Sequence, residues 1–229
     1  MKLRVLGTRG EIESSAPRHS KHSGVLIDGK LMLDVGEKGF LDLKPGCVFI
    51  THLHPDHAFF IRDGHDYSIK FYAPEKAPGV TDLLEPGHPI IYETYRVTPI
   101  PTHHSKKVKS TAFLIDDGEK RLLYTGDIIW INKEYYPLLS ELSLVITDGS
   151  YLRRGGMIRK DKETGQLYGH AGIPDLIRIF KPFTSKILFI HFGTWFFNDI
   201  GEAKKKLNDL GKSAGVSVIA GYDGMEMEC

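Results

Sequence analysis

Short apolar runs, most of them ended by Gly, Pro, Asn or Asp, dominate the hydrophobic pattern of the chain. This pattern predicts a protein rich in β-strands. Two of the runs contain a turn sequence that predicts a β-hairpin, Asp28 followed by Gly29 and the segment 116–119. The predicted strand regions are 24–37, 47–54, 68–74, 95–101, 110–127, 142–150, 186–193 and 216–228.

Fewer segments have apolar residues at helical spacing. Pro174 falls in the opening turn of one of them, where a proline is tolerated. Gly211 is suited to end another, and Asn198 or Asp199 to cap its start. The predicted helical regions are 57–63, 133–141, 170–181 and 198–211, with weaker patterns in the first two.

Several predicted strands are apolar at consecutive positions, as in CVFI (47–50), LSLVI (142–146) and KILFI (186–190). Such strands are covered on both faces. Because the helical patterns fall into two groups separated in sequence, the simplest packing places two sheets face to face with helices outside. The predicted fold is therefore α/β, a four-layer αββα sandwich of mixed sheets. No linker divides the chain, so we expect a single domain over residues 1–229.

The composition restricts the class of protein. The 229 residues include 30 Lys and Arg against 29 Asp and Glu, a formal charge of +1, which argues against a general nucleic-acid binder. No apolar run is long enough to span a membrane, and the N-terminus does not resemble a signal peptide, so we expect a cytoplasmic protein. Two cysteines do not suggest a disulfide framework, whereas 11 histidines indicate chemistry.

The sequence THLHPDH (51–57) contains the highest density of ligand-type side chains. Imidazole and carboxylate are the usual ligands of zinc and similar divalent ions outside thiolate sites. In an extended segment His52 and His54 point the same way, so both can reach one ion. Asp56 and His57 follow in the predicted turn, where they can reach a second ion. The heptapeptide therefore predicts a metal site.

Further ligand-type residues each follow an apolar run: His103 and His104 in PIPTHHS, Asp127 in LLYTGD and His191 in LFIHFG. A lone histidine at a strand end is more often structural than a ligand. Strand ends on one edge of a sandwich converge, however, so these distant positions can form a single site with the heptapeptide. The pattern leaves open which of the two adjacent histidines takes part.

In the order of these segments the chain resembles the metallo-β-lactamase-fold hydrolases of the HxHxDH, two-metal branch. The resemblance covers LMLDVGE (31–37), HLHPDH, THHS, YTGD, FIHFG and the closing YDGMEME. It favours His104 over His103, because the family usually has a His followed by Ser there, and it places Asp34 behind the ligands as an orienting group. The implied ligands are His52, His54 and His104 for one ion, Asp56, His57 and His191 for the other, and Asp127 as the bridge.

The resemblance implies two divalent metal ions, with zinc expected and iron or manganese equally compatible with these ligands. Two ions that share a carboxylate lower the pKa of a water between them toward about 7 and stabilise the oxyanion that its attack produces. The chain is therefore expected to be a metal-dependent hydrolase, with Asp56 in the catalytic centre.

Within this superfamily, LVITDGSYL (144–152) and the segment 169–193 are most similar to the RNase Z and phosphodiesterase group. The similarity implies His170 as general acid for a leaving alkoxide and Asp148 as the residue that orients it. Thr147, Ala171 and Gly172 depart from the group's pattern and affect this proton relay.

The interval from His104 to Asp127 is filled by the predicted hairpin and leaves no room for a tRNA-clamping arm, which argues against tRNA processing. Basic residues gather at 18–22, 105–109 and 153–160. Lys106 and Lys107 follow a predicted ligand directly and could attract an anion, although loop lysines are more often only solvated.

The expected function is hydrolysis of a small or nucleic-acid-derived phosphodiester. The alternatives are a hydrolase of carboxylic esters, lactones or thioesters on the same metals, and a di-iron redox or binding protein. The expected partner is a small-molecule or short nucleic-acid substrate, without a stable nucleic-acid complex or a membrane. A homodimer is left open.

Overall fold

Two mixed β-sheets pack face to face in the computed structural model, which describes residues 1–64 and 68–229. Within these residues the first sheet has seven strands. In spatial order they are β17 (Glu226–Glu228), β1 (Lys2–Gly7), β2 (Gly24–Ile27), β3 (Leu31–Leu33), β4 (Cys47–Phe49), β5 (Lys70–Ala73) and β6 (Asp82–Leu83). The strands from β3 to β6 are parallel to one another, so their carboxyl ends lie at one edge.

The second sheet has eight strands among the described residues. In spatial order they are β11 (Trp130–Ile131), β8 (Tyr95–His103), β9 (Thr111–Asp116), β10 (Arg121–Tyr124), β12 (Leu144–Asp148), β15 (Lys186–Ile190) and β16 (Ser217–Ala220), with β7 (Ile90–Tyr92) paired to β8. The strands β10, β12, β15 and β16 are parallel. A separate antiparallel hairpin contains β13 (Met157–Lys160) and β14 (Leu167–His170).

Helices cover the outer faces of both sheets. They are α1 (Phe60–Asp63), α2 (Ile173–Phe180), α3 (Thr194–Asn198) and α4 (Ile200–Ala214), with 3₁₀ turns at Lys38–Leu43 and Lys133–Leu139. The central core joins the two inner faces, with Phe49 and Phe113 in edge-to-face contact. Leu176 and Leu207, on α2 and α4, bury against the outer face of the second sheet, while Phe40 lies in the core outside the first. These layers confirm the predicted αββα sandwich.

The predicted hairpins are present. The turn at Asp28 joins β2 to β3, and the segment 116–119 joins β9 to β10. Helices follow the predictions at 57–63, 170–181 and 198–211 with shifted ends, and Asp199 caps α4 by accepting a hydrogen bond from the Glu202 amide. The region 133–141 forms a 3₁₀ helix rather than an α-helix. Within the described residues no helix is both long and apolar enough to cross a lipid bilayer.

Two predictions were wrong in detail. The segment 157–170 forms the β13–β14 hairpin, so His170 ends a strand and the helix begins only at Ile173. The region 216–228 was predicted as one strand region but forms two strands in different sheets, since β16 pairs with β15 and β17 pairs with β1. The second error arises because pairing partners distant in sequence decide the two strands, whereas the first concerns a local hairpin.

Candidate metal centre

The heptapeptide follows β4 at the edge where the parallel strands end, and its first two histidines meet residues from the opposite sheet. His52 Nε2 lies 3.0 Å from His54 Nδ1, and His54 Nδ1 lies 3.4 Å from His104 Nε2. Oδ2 of Asp127, which follows β10, is 3.7 Å from His52 Nε2 and 3.6 Å from His104 Nε2. These four residues form the first group that could hold an ion.

The second group lies on the other side of Asp127. His191 Nε2 is 2.9 Å from Asp56 Oδ2, and His57 Nε2 is 3.7 Å from the same oxygen. Oδ1 of Asp127 is 3.3 Å from His57 Nε2 and 3.2 Å from His191 Nδ1. Asp127 therefore offers one carboxylate oxygen to each group, which is the arrangement that a bridging ligand requires.

The residues present fit a pair of divalent cations. Among the described residues, His57 Nε2 and Asp127 Oδ1 are buried without a hydrogen-bond partner, which is costly unless a further group binds them. The ligand-type atoms within each group lie within 4.8 Å of one another. All are imidazole nitrogens or carboxylate oxygens, a donor set that suits zinc, iron and manganese.

Electrostatics at the site favours bound positive charge. Burial alone would lower the pKa of His191, but the charge of Asp127 and hydrogen bonds to Asp148 and Asp56 raise it to about 10. The pKa of His57 is also raised against the effect of burial, by Asp127, Asp34 and Asp56. Burial would raise the pKa of Asp127, but the imidazoles of His191 and His57 hold it well below its usual range. The carboxylates thus draw protons onto two ligand-type histidines in the absence of another cation.

Asp34 lies behind the second group, where the sequence resemblance placed it. Its Oδ2 accepts hydrogen bonds from His57 Nδ1 at 2.7 Å and from the Tyr124 hydroxyl at 2.8 Å, while Oδ1 accepts from the Thr51 amide at 2.7 Å. The side chain is fully buried. With Nδ1 fixed in this way, Nε2 of His57 is directed toward Asp56 and Asp127.

Sequence reasoning missed two further orienting contacts. Ser150 Oγ lies 2.9 Å from His191 Nδ1, and His104 Nδ1 donates to the Gly169 carbonyl at 2.9 Å. The only available signal for Ser150 was its position after the LVITDG strand end. No sequence signal identifies a backbone carbonyl such as that of Gly169, because its direction depends on the missed hairpin.

His103 lies outside the groups. Its Nε2 is 2.8 Å from Asn132 Oδ1, and its ring stacks on Trp130 with 4.2 Å between ring centres. The preference for His104 among the adjacent histidines therefore agrees with their placement.

His170 and Asp148 reach the site from β14 and β12. Nδ1 of His170 donates to Asp148 Oδ2 at 2.6 Å and lies 3.9 Å from Asp127 Oδ2. Together with Asp127 and His191 these residues form a third group of closely spaced ligand-type atoms. Asp148 also accepts hydrogen bonds from the backbone amides of Ser150 and Ile128. Although burial would raise the pKa of Asp148, the neighbouring His170 lowers it.

The basic loop at 105–109 is only partly available to an anion. Lys106 forms an ion pair with Asp161 at 2.6 Å and lies over the Tyr168 ring. It therefore connects the loop to the β13–β14 hairpin. Lys107 is exposed.

Comparison with known proteins identifies the fold. No protein-family model matches the chain, and no curated protein matches its sequence. Among solved structures, it is similar to the metallo-β-lactamase fold protein YhfI from Bacillus subtilis, with 18% identity, a TM-score of 0.73 and coverage of 99% of each chain. It is also similar to a diphosphatase of the PhnP family, with 16% identity, a TM-score of 0.68 and coverage of 100% of this chain and 97% of the other. Human short-form tRNase Z matches with 16% identity, a TM-score of 0.64 and coverage of 100% and 99%. The chain therefore has the metallo-β-lactamase fold.

Proposed function

We propose that the chain is a hydrolase that depends on two divalent cations and cleaves phosphodiesters. The observation that carries the proposal is the His170–Asp148 pair, which lies beside Asp127 in the same cleft as both ligand groups. An alkoxide leaves a phosphodiester poorly unless it receives a proton, and a histidine held by a carboxylate can deliver one. The seven predicted ligands alone would suit hydrolysis of many bonds.

Each part of the site has a distinct role in this proposal. The first group and the second group would hold the cations, with Asp127 offering an oxygen to each group. When bound, such cations supply an activated water and stabilise negative charge on the substrate. Asp148 accepts a hydrogen bond from Nδ1 of His170, and this contact leaves Nε2 of His170 to carry the proton for the leaving oxygen. Asp34 keeps His57 in the tautomer that a ligand requires.

The comparisons support hydrolysis broadly. The PhnP-family diphosphatase and human tRNase Z are similar in fold, but so is a protein described as isothiocyanate hydrolase, with 13% identity and a TM-score of 0.65. The fold therefore does not select a substrate, and the proposal of phosphodiesters depends on His170 and Asp148. Hydrolysis of a carboxylic ester, lactone or thioester on the same site is the competing outcome.

The test compares two leaving groups in a His170→Ala variant. Because p-nitrophenolate departs without a proton, the variant should cleave bis(p-nitrophenyl) phosphate nearly as fast as the parent. Cleavage of a dinucleotide, which releases an alkoxide, should fall about 100-fold or more. Metal content should stay unchanged, and His103→Ala should alter neither rate.

The proposal fails if protein loaded with zinc, manganese or iron cleaves no phosphodiester but hydrolyses a lactone or thioester. If the His170→Ala substitution lowered the cleavage rates of both substrates equally, it would contradict the role of His170 as general acid. The rest of the proposal would stand.

A further inference from the structure

Two aromatic residues, Tyr151 and Trp195, line the cleft that is also lined by residues of both ligand groups. Neither has a role in holding a cation or moving a proton. The cleft has a volume of about 500 Å³, which lies within the usual range of small-molecule sites, about 300–1,000 Å³. It therefore has room for a substrate substituent beside the reacting phosphate.

Trp195 is fixed in place by its surroundings. Its Nε1 donates a hydrogen bond to the Gly149 carbonyl at 2.9 Å, and its ring makes edge contacts with Phe192 and Phe196 at 6.2 and 5.6 Å between centres. Because the indole N–H is already bonded, the indole offers a ligand only its ring surface. A ring held in this way loses little conformational entropy when it binds a ligand.

The backbone under Trp195 is closely packed against the strand end that holds Asp148. A Cβ atom at Gly193 would lie 2.3 Å from the Ser150 carbonyl oxygen, and one at Gly149 would lie 2.7 Å from that of Ile190. These glycines let the turn after β15 approach the turn after β12. The position of the indole relative to His191 is therefore set by the same contact that positions the metal centre.

Tyr151 supplies the polar counterpart. Its ring lies 5.8 Å from that of His170, the proposed proton donor. Within the described part of the chain its hydroxyl group has no hydrogen-bond partner. A nucleobase has a flat face for the indole and ring heteroatoms or amino groups for such a hydroxyl, whereas a plain aryl group has only the face.

We propose that Trp195 stacks on the nucleobase of a nucleoside phosphodiester, with Tyr151 bonding its polar edge, while the phosphate lies at the metal centre. This inference rests on the proposed function and narrows its substrate to nucleotides. Stacking between a base and an aromatic side chain is sequence-tolerant, since every base has a flat face. Stacking on Trp195 therefore favours ligands that carry a base but does not distinguish one base from another.

The test uses binding, so that it does not depend on turnover. The chain has two tryptophans, and Trp130 stacks on His103 outside the cleft. A Trp130→Phe variant keeps that stacking and leaves Trp195 as the sole fluorescent indole. Adenosine monophosphate should quench its emission, whereas ribose 5-phosphate, which has the same phosphate but no base, should bind about tenfold or more weakly.

Substitution of Trp195 completes the comparison, with the affinity for each probe measured by calorimetry. Trp195→Leu should lose most of the preference for adenosine monophosphate over ribose 5-phosphate, keeping only what Tyr151 contributes, and Trp195→Phe should keep most of it because it retains a flat ring. Circular dichroism and metal content establish that each variant is folded. If Trp195→Leu does not fold, the Phe variant and the Trp130→Phe titration still decide the outcome.

Equal affinity of the Trp130→Phe protein for the two probes would overturn the inference, as would an unchanged preference in Trp195→Leu. The proposed function fails differently: base-selective binding would persist without cleavage of any phosphodiester. Cleavage of dinucleotides with the same KM in the parent and in Trp195→Leu would instead contradict the stacking role while leaving phosphodiester hydrolysis intact.

Discussion

At the scale of single residues, one buried carboxylate orients a histidine of the candidate metal centre without being a predicted ligand itself. Asp34 accepts hydrogen bonds from His57, Tyr124 and Thr51 and adopts a left-handed backbone conformation, with φ of 57°. Non-glycine residues adopt this region rarely, and aspartate does so more readily than most. The turn directs the Asp34 carboxylate beneath the heptapeptide.

Substitution Asp34→Asn should weaken retention of the metal. The amide lacks the charge that favours the Nδ1–H tautomer of His57, and its NH₂ group cannot accept one of the hydrogen bonds. Loss of such an orienting partner typically lowers metal affinity about 10- to 100-fold. Metal content after dialysis against graded chelator measures the change, with the exposed Asp42→Asn as control. Equal retention in both variants would show that His57 is held without Asp34.

His19, which lies outside the candidate metal centre, predicts how the stability of the folded protein depends on pH. It is buried between Thr8 and the Phe196 ring, and burial together with the charge of Lys204 lowers its pKa from 6.5 to about 4. The folded protein therefore excludes a proton that the unfolded chain binds. Stability from this residue is complete above pH 6.5 and is lost as the pH falls toward 4.

A His19→Gln variant should consequently lose less free energy of unfolding than the parent between pH 7 and pH 4.5. The difference is at most about 3 kcal/mol. Denaturant titrations at both pH values measure it, and His88→Gln, at a histidine whose side chain is 77% exposed, serves as control. Parallel pH profiles for parent and His19→Gln would mean that His19 is protonated when folded.

The placement of residues that follow strand ends was largely predictable from the sequence. The residues predicted as ligands, among them Asp127 and His191, lie together because each comes directly after an apolar run that ends at the same edge. Ser150 and Gly169 could not be predicted, since their roles depend on which atom faces a histidine in the folded protein.

At the scale of elements, periodicity was a sound guide for the long helices and a poor one for short strands. The strands β6, β7 and β11 have two or three residues each, too few for a pattern. In β13 the residues Arg159 and Lys160 mask the alternation of apolar and polar positions, and in β14 His170 fits a helical spacing equally well. The helix cannot extend back to His170, because His170 pairs with Met157 in the hairpin. The preceding Gly169 pairs with Ile158 and has a φ of 121°, which is not helical.

Helix α4 offers a direct test of a predicted cap. The Asp199 side chain accepts a hydrogen bond from the Glu202 amide at 2.9 Å, and Gly215 ends the helix in the left-handed conformation. Asp199→Ala should cost about 1 kcal/mol of unfolding free energy, because it leaves helix-terminal amides without a partner. Chemical denaturation measures the cost. Asp209→Ala, on an exposed position of the same helix, should change stability little, and an equal loss there would point to general charge effects.

At the scale of the whole molecule, the candidate metal centre contains residues from both sheets. His52, His54 and His57 follow β4 of the first sheet, whereas Asp127 and His191 follow β10 and β15 of the second. The packing of two sheets face to face and the order of the ligand-type residues along the chain were predictable, but the order of the strands within each sheet was not. The last region, 216–228, contributes one strand to each sheet, and such non-local pairing leaves no periodic signal in the sequence.

Removal of metal should therefore weaken the contact between the sheets at this edge and lower the unfolding temperature. A ligand present at 1,000 times its dissociation constant stabilises the folded state by about 4 kcal/mol. For a chain of this size that corresponds to a fall of roughly 10 °C on chelation. Calorimetric scans with and without chelator measure the shift, and chelator already saturated with zinc should produce none.

Asp127→Ala distinguishes this coupling from a nonspecific effect of the chelator. The substitution removes the residue that offers an oxygen to both groups, so the variant should melt at similar temperatures with and without chelator. Circular dichroism at low temperature would establish that it still folds. An Asp127→Ala protein that keeps the full chelator-dependent shift would show that the cations bind elsewhere, and the sheets would then be joined by the apolar core alone.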